Sequence, residues 1–190
     1  NSDEAWNMDS YPYFKSKFDF VKKVKAPQKI LIKNQETLRN FLEHDQNQFF
    51  GENHYLFRWQ KRISAKEIKD SLANKNLIIR NKDIIDLEVL DRGQSGRVIK
   101  LGISYSDSNN PIIFSKDEIR RHLKFLPSNL FIIDKLNDNF WNFKGGGFGH
   151  GVGLSQSGAI EMAKSGLTYQ KILGHYYHGV KIQNFRDLSK

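Results

Sequence analysis

The run DIIDLEVLDRGQSGRVIKLGISY, residues 83–105, reads as two β-branched strands around the turn Asp91-Arg92-Gly93-Gln94-Ser95-Gly96, an antiparallel hairpin. In its second arm Ile99, Leu101 and Ile103 share one face and Val98, Lys100 and Gly102 the other, so one side is expected to be solvated. Helix starts flank the hairpin on both sides. In Ile63-Ser64-Ala65-Lys66-Glu67-Ile68, Ser64 can accept from the Glu67 N–H, Glu67 can reach back to the Ser64 N–H, and Ile63 can pack on Ile68. The same grammar recurs at Phe114-Ser115-Lys116-Asp117-Glu118-Ile119, which predicts helices over 65–73 and 116–124, the second ended by Pro127.

Further out, ETLRNFLEHDQ sets Leu38, Phe41, Leu42 and Asp45 at helical spacing and predicts a helix over 36–46. LIIR (77–80), LFII (130–133) and FWNF (140–143) read as strands. Helices and antiparallel strands in this order, without regular βα alternation, predict an α+β fold: a mostly antiparallel sheet with several short helices, and a glycine-rich loop leading into a C-terminal helix pair.

The chain has 190 residues, enough for a single domain with its own core. It has no cysteine, which excludes disulfides, thiolate nucleophiles and thiolate metal sites. A hydrophobic fraction of 38% excludes a disordered chain, and no apolar run is long enough to predict a membrane span. The formal charge of +9 suggests an anionic partner such as nucleic acid, an acidic wall polymer or a membrane surface, although it reads first as a generally solvated basic surface. Lys and Arg occur singly or in pairs with acids interleaved, and no RNP-type aromatic signature is present, so no nucleic-acid partner is expected. The opening NSDEAWNMDS has no basic head and no apolar run, and reads as the start of a processed form or of a piece of a longer protein.

Seven of the fourteen glycines lie in GGGFGHGVGLSQSG, 145–158. The run follows an aromatic strand and precedes a helical pattern (Ala159, Met162, Ala163) that Gly166 stops, so it is expected to be a structured turn that brings backbone amides close to a ligand. The dinucleotide pattern fails for its third glycine, the phosphate-loop pattern for its lysine, and the nucleophile elbow because Ser157 stands where its last glycine belongs. Ser155 is therefore expected to be an N-cap or hydrogen-bonding residue rather than a nucleophile. His150, presented by glycines, with Ser155 and Gln156 at the following helix start, makes a compact set of neutral donors suited to the hydroxyl and amide groups of a sugar. His175 and His178 could share a helix face as metal ligands. HExxH is absent and a third ligand has no assigned position, so neither a metal nor another cofactor is expected.

These residues carry a resemblance. GGGFGHGVGLSQSGAIEMAKSGLTYQKILGHYYHGVKI resembles the long glycine, GHGVG and SQ-Gly-Ala block of the SpoIID/LytB family, the sporulation stage II protein D and amidase-enhancer group. FRW (57–59), ISAKEI, DRGQSGRVIKL, EIRRHL, LPSNLFII and AWNMDSYPYF resemble the same domain, so the likeness covers most of 5–182, with 21–51 unmatched and read as an insertion.

The resemblance implies an exported cell-envelope protein that remodels peptidoglycan. The activity implied is a lytic transglycosylase on glycan strands stripped of stem peptides, or alternatively a non-catalytic enhancer of an N-acetylmuramoyl-L-alanine amidase. It places His150, Ser155 and Gln156 in the glycan cleft, shaped by Gly149 and Gly151, with Arg97 and Arg120 matching recurring arginines that bind substrate or brace the cleft. The implied partners are glycan strands, a cell-wall amidase and an N-terminal segment of the same protein. The family's catalytic glutamate, the general acid, has no match in this chain, and Glu88, in a strand pattern, is not a candidate. His150 is left with a supporting role.

Overall fold

The computed structural model describes residues 5, 11–14, 19, 21, 32, 34–43, 49–77, 82–123 and 125–183. The element order is α1 (Gln35–Glu43), β1 (Arg58–Ser64), α2 (Ala65–Ala73), β2 (Ile84–Arg92), β3 (Val98–Tyr105), β4 (Ile112–Ser115), α3 (Glu118–His122), β5 (Phe131–Asn137), β6 (Phe140–Gly146), α4 (Gln156–Lys164) and α5 (Tyr169–Tyr176). The strands form two antiparallel three-stranded sheets, β1-β6-β5 and β2-β3-β4. The fold is α+β, with five helices among the described residues.

One apolar core joins the two sheets. Trp59, Ile63, Phe131, Trp141 and Phe143 come from the first sheet, Leu87, Val98, Leu101, Ile103 and Phe114 from the second, and Ile68 and Leu72 from α2. Helix α2 is held at its start by the full reciprocal cap, with the Ser64 Oγ accepting from the Glu67 N–H at 3.2 Å and the Ser64 N–H donating to the Glu67 carboxylate at 2.8 Å. The Ser64 N–H and the Ser64 hydroxyl, which also donates to the Glu67 carboxylate at 2.7 Å, hold that carboxyl below its usual range. Ile63 and Ile68 both sink into the core, as the staple requires. Helix α1 lays Leu38 and Leu42 on Ile132 in a second, smaller cluster, and Arg39 pairs with Asp134 of β5.

The structure departs from the expected pattern in three places. On β3 the register passes over Ile99, since Asp91 pairs with Lys100 and Arg92 with Val98. This irregularity returns Val98 to the core side, fully buried beside Leu101 and Ile103, and leaves Ile99 half-buried. On the outer face, Gly102 lies under Leu90 rather than in solvent. The second capping box is half formed: the Ser115 N–H donates to Glu118 at 3.2 Å, but Lys116 takes a left-handed φ of 52° and Asp117 becomes the N-cap. Helix α3 is therefore only Glu118–His122, shorter than the expected 116–124. Asp45 and most of LIIR, at 78–80, lie outside the described residues.

Substitutions should rank by these contacts. Ser64→Ala should cost about 1 kcal/mol through the lost cap, and Gly147→Ala, whose Cβ would have open space but a φ of 74°, about 1–2 kcal/mol. Gly145→Ala should cost about 3 kcal/mol or more, because its Cβ would overlap the Trp59 indole. Urea denaturation of the three variants checks the order, and a Gly145→Ala loss no larger than the other two would contradict it.

Candidate functional site

The loop after β6 is tied down where it leaves the sheet. Trp59 lies flat enough against Gly145 that no side chain could stand there, and its indole Nε1 donates to the Gly147 carbonyl at 3.1 Å. The Gly146 N–H donates to Leu130 O at 2.9 Å, Gly147 N–H to Phe57 O at 3.2 Å and Gly149 N–H to Pro127 O at 3.0 Å. Ser128, fully buried, donates its hydroxyl to Gly146 O at 2.7 Å, and it bridges to Gly149 through the backbone. LPSNL thus acts as a strap beneath the loop, and the amides of Gly146, Gly147 and Gly149 are taken up by the fold itself. From there every second residue has positive φ: Gly147, Gly149, Gly151 and Gly153 at 74°, 93°, 72° and 80°.

His150 stands on this turn. Its Nδ1 accepts from the Val152 N–H at 3.0 Å, which in the neutral ring puts the proton on Nε2 and leaves Nε2 as a donor. Burial lowers its pKa from the ordinary imidazole value, the charges of Arg120 and Arg97 lower it further, and Asp117 opposes them. The ring is therefore a neutral donor near pH 7. Gly151 explains the position of Arg97, whose guanidinium presses on the glycine so closely that a Cβ would overlap it. Arg120 donates to Asp117 at 3.3 Å, and its guanidinium lies 6.0 Å from the Phe148 ring centre. Asp117 also meets Arg121 at 3.8 Å, so one carboxylate faces two guanidiniums from its own helix.

Of the residues singled out in the sequence, Gly149, His150, Gly151, Arg97 and Arg120 come together here. Ser155 and Gln156 belong to the adjoining helix pair. Ser155 is the N-cap of α4, its hydroxyl accepting from Gly158 N–H at 3.2 Å, while Gln156 is the exposed first residue of that helix. Gly166 closes α4 as expected, with its N–H and that of Leu167 donating to Ala163 O and Met162 O at 3.0 Å each.

His175 is engaged elsewhere, with Nε2 2.9 Å from Asp19 Oδ1, and His178 is exposed. Tyr176 donates to the other Asp19 oxygen at 3.0 Å. Burial raises the Tyr176 pKa above its usual value, the Asp19 charge adds to this, and a hydrogen bond with Ser155 works against it. Among the described residues no three His, Asp or Glu side chains gather as metal ligands.

Sequence reasoning passed over Asp117, Phe148 and Asp19. Asp117 was hidden inside a capping pattern and Phe148 among glycines. Asp19 reaches His175 across 156 residues, with no local signal to announce it.

An NMR titration of the His150 ring should give a midpoint below about pH 6.5. Arg120→Gln should move that midpoint up, because a repelling charge is removed and Asp117 loses a partner. The unfolded chain takes up this proton more readily than the fold does, so the His150 contribution to stability weakens as pH falls through about 6.5. A midpoint unmoved by the substitution would contradict the geometry.

A stretch of 132 residues, 70% of this chain, is 31% identical to an uncharacterised protein of Brachyspira hyodysenteriae and covers 34% of that protein. A stretch of 36 residues, 19% of this chain, is 58% identical to the stage II sporulation protein D of Bacillus subtilis and covers 10% of it. The amidase enhancer of Bacillus subtilis is 34% identical over 55 residues, 29% of this chain and 8% of that protein. The chain thus spans about a third of the first relative and a tenth or less of the other two. The partial matches to the latter two support a SpoIID/LytB-like relationship. A family model matches residues 1–153, and the chain belongs to that family, described as a domain of unknown function (DUF8618).

Proposed function

We propose that this chain is the glycan-binding part of a peptidoglycan-remodelling protein of the cell envelope, and that the whole protein is a lytic transglycosylase acting on peptide-stripped glycan strands. The observation that carries the reading is His150 on its strapped glycine turn: a neutral ring with a donor Nε2, beside Arg97 and Arg120. A sugar offers hydroxyl and acetamido oxygens, which such donors recognise without the desolvation cost of an unpaired charge. The partial likeness to a stage II sporulation protein D and to an amidase enhancer points to the same polymer.

In a transglycosylase one carboxyl group protonates the glycosidic oxygen and then takes the proton of the muramyl 6-hydroxyl, which closes the 1,6-anhydro ring without water. Asp117 is poorly suited to that part, since Arg120 and Arg121 both engage it. Glu88 sits on an exposed face of the second sheet, in register with Gly102, whereas His150 follows the first sheet. The reading assigns the acid to neither of these, in keeping with the family glutamate that has no match in this chain, and gives the residues of the turn the work of holding and orienting the strand. His150, Gln156 and the backbone around Gly149 and Gly151 contact substrate, and Ser155 fixes the helix start beside them. The second reading, a glycan-binding enhancer of a cell-wall amidase, is favoured by the amidase-enhancer likeness and by the same missing acid.

Incubation with peptide-stripped glycan strands tests the proposal. The chain should co-sediment with the strands, and His150→Ala should lower the bound fraction several-fold. The full-length protein should produce 1,6-anhydromuramyl ends, seen by mass spectrometry. Binding without such ends, together with faster amidase turnover, would favour the enhancer, and absence of binding would overturn both readings.

A further inference from the structure

Each of the two sheets has two edge strands, and three of these four edges are blunted. Along β5 the outward carbonyls of Phe131 and Ile133 accept from the Arg92 guanidinium at 2.8 Å and the Gln35 amide at 3.4 Å. On β2 the register is broken by irregularities, and Lys135 donates to Ile85 O at 3.1 Å. Strand β4 is only four residues long, and its Ser115 N–H is taken by Glu118. Strand β1 has none of these devices. It runs for seven residues in unbroken register with β6. The bonds at the two ends of that ladder run from Gly147 N–H to Phe57 O at 3.2 Å and from Ala65 N–H to Asn139 O at 2.8 Å, which places the odd-numbered residues in the bonded pairs. The N–H and C=O groups of Arg58, Gln60 and Arg62 therefore point away from β6, and no group of the described residues bonds to them.

The side chains of these three residues lie on the face opposite Trp59 and Ile63, with Gln60 and Arg62 exposed. The Arg62 guanidinium lies 4.2 Å from the Phe140 ring centre, and that of Arg58 lies 4.2 Å from Phe57 and 4.9 Å from Phe41. No carboxylate of the described residues pairs with either arginine, or with Lys61 of the same strand. The open edge is thus also a cationic one.

We propose that the edge of β1 is a docking site for an extended acidic segment of a partner protein. The segment adds as a further strand to the first sheet, exchanges backbone hydrogen bonds with Gln60 and Arg62, and sets carboxylates on alternate residues beside Arg58 and Arg62. A second copy of the chain fits poorly. Antiparallel pairing of two β1 strands about Gln60 sets Arg58 opposite Arg62, and pairing about Lys61 sets that lysine opposite itself. None of the outward groups belongs to the glycine turn, so the docking edge stands independently of the glycan reading.

Hydrogen exchange and peptide binding test it on the same protein. In the free chain the amides of Gln60 and Arg62 should exchange far faster than those of Lys61 and Ile63, and a peptide of alternating Glu and Val should slow them. By fluorescence anisotropy that peptide should bind about tenfold more tightly than one with Lys in place of Glu, a preference that shrinks as salt is raised. N-methylation of its alternate amides on the side that meets β1 should abolish binding, because the ladder bonds are lost. Arg62→Glu, at an exposed position, should turn the preference toward the Lys peptide. Gln60→Pro removes an outward N–H that an edge strand can spare, so this variant should fold and fail to bind. Gln60 and Arg62 amides as protected as Lys61 in the free chain would overturn the proposal, and protection that rises with protein concentration would give the edge to a second copy instead. Failure of the acidic peptide to bind, equal binding of the two peptides, or binding that survives backbone methylation would overturn it as well.

Discussion

The contact on which the site depends is the Trp59 indole against Gly145. It requires a residue without a side chain in the first sheet, and it delivers a donor to the carbonyl of Gly147, the first residue of the turn. The Phe57 carbonyl adds to the attachment beside Trp59, and the buried Ser128 hydroxyl with the carbonyls of Pro127 and Leu130 completes it. A run with this many glycines would lose a great deal of backbone entropy on ordering. Here the cost is met by hydrogen bonds and by the indole packing of a core that spans both sheets. The consequence is functional. A turn ordered in advance has little freedom left to lose when a ligand arrives.

Electrostatics then shapes the surface that the turn presents. Two arginines come to it from different elements, Arg97 from the β2–β3 turn region and Arg120 from α3, and each is placed by a separate device. Arg97 needs the bare face of Gly151, and Arg120 needs the Asp117 carboxylate. Burial first, and then their combined field, lowers the His150 pKa, so the site offers a donor without adding a third positive charge. Across the loop, Asp19 ties an N-terminal residue to His175 and Tyr176 of the last helix, so the helix pair is braced by a distant part of the chain.

Much of this was legible in the residues. The Ser64–Glu67 cap, the hairpin around residues 91–96 and the Gly166 helix stop are local, and local hydrogen-bond grammar predicted each of them. The presentation of His150 by its glycines was legible for the same reason. What escaped was set by tertiary pairing. The skipped Ile99 on β3 depends on the partner strand, and no alternation rule inside the strand could reveal it. The shortened α3 follows from the left-handed Lys116, and a capping pattern read in isolation does not foresee that conformation. Asp19 and His175, or Trp59 and Gly145, are far apart in the chain, and only the fold places them in contact.

The central claim is that the glycine turn is held in one conformation by its own fold, without a ligand. Backbone ¹⁵N relaxation of the free protein tests it most directly. Heteronuclear NOE values at Gly146, Gly147 and Gly149 should match those of Trp141 and Phe143 in β6. Values at those glycines close to those of a freely moving linker would contradict the account.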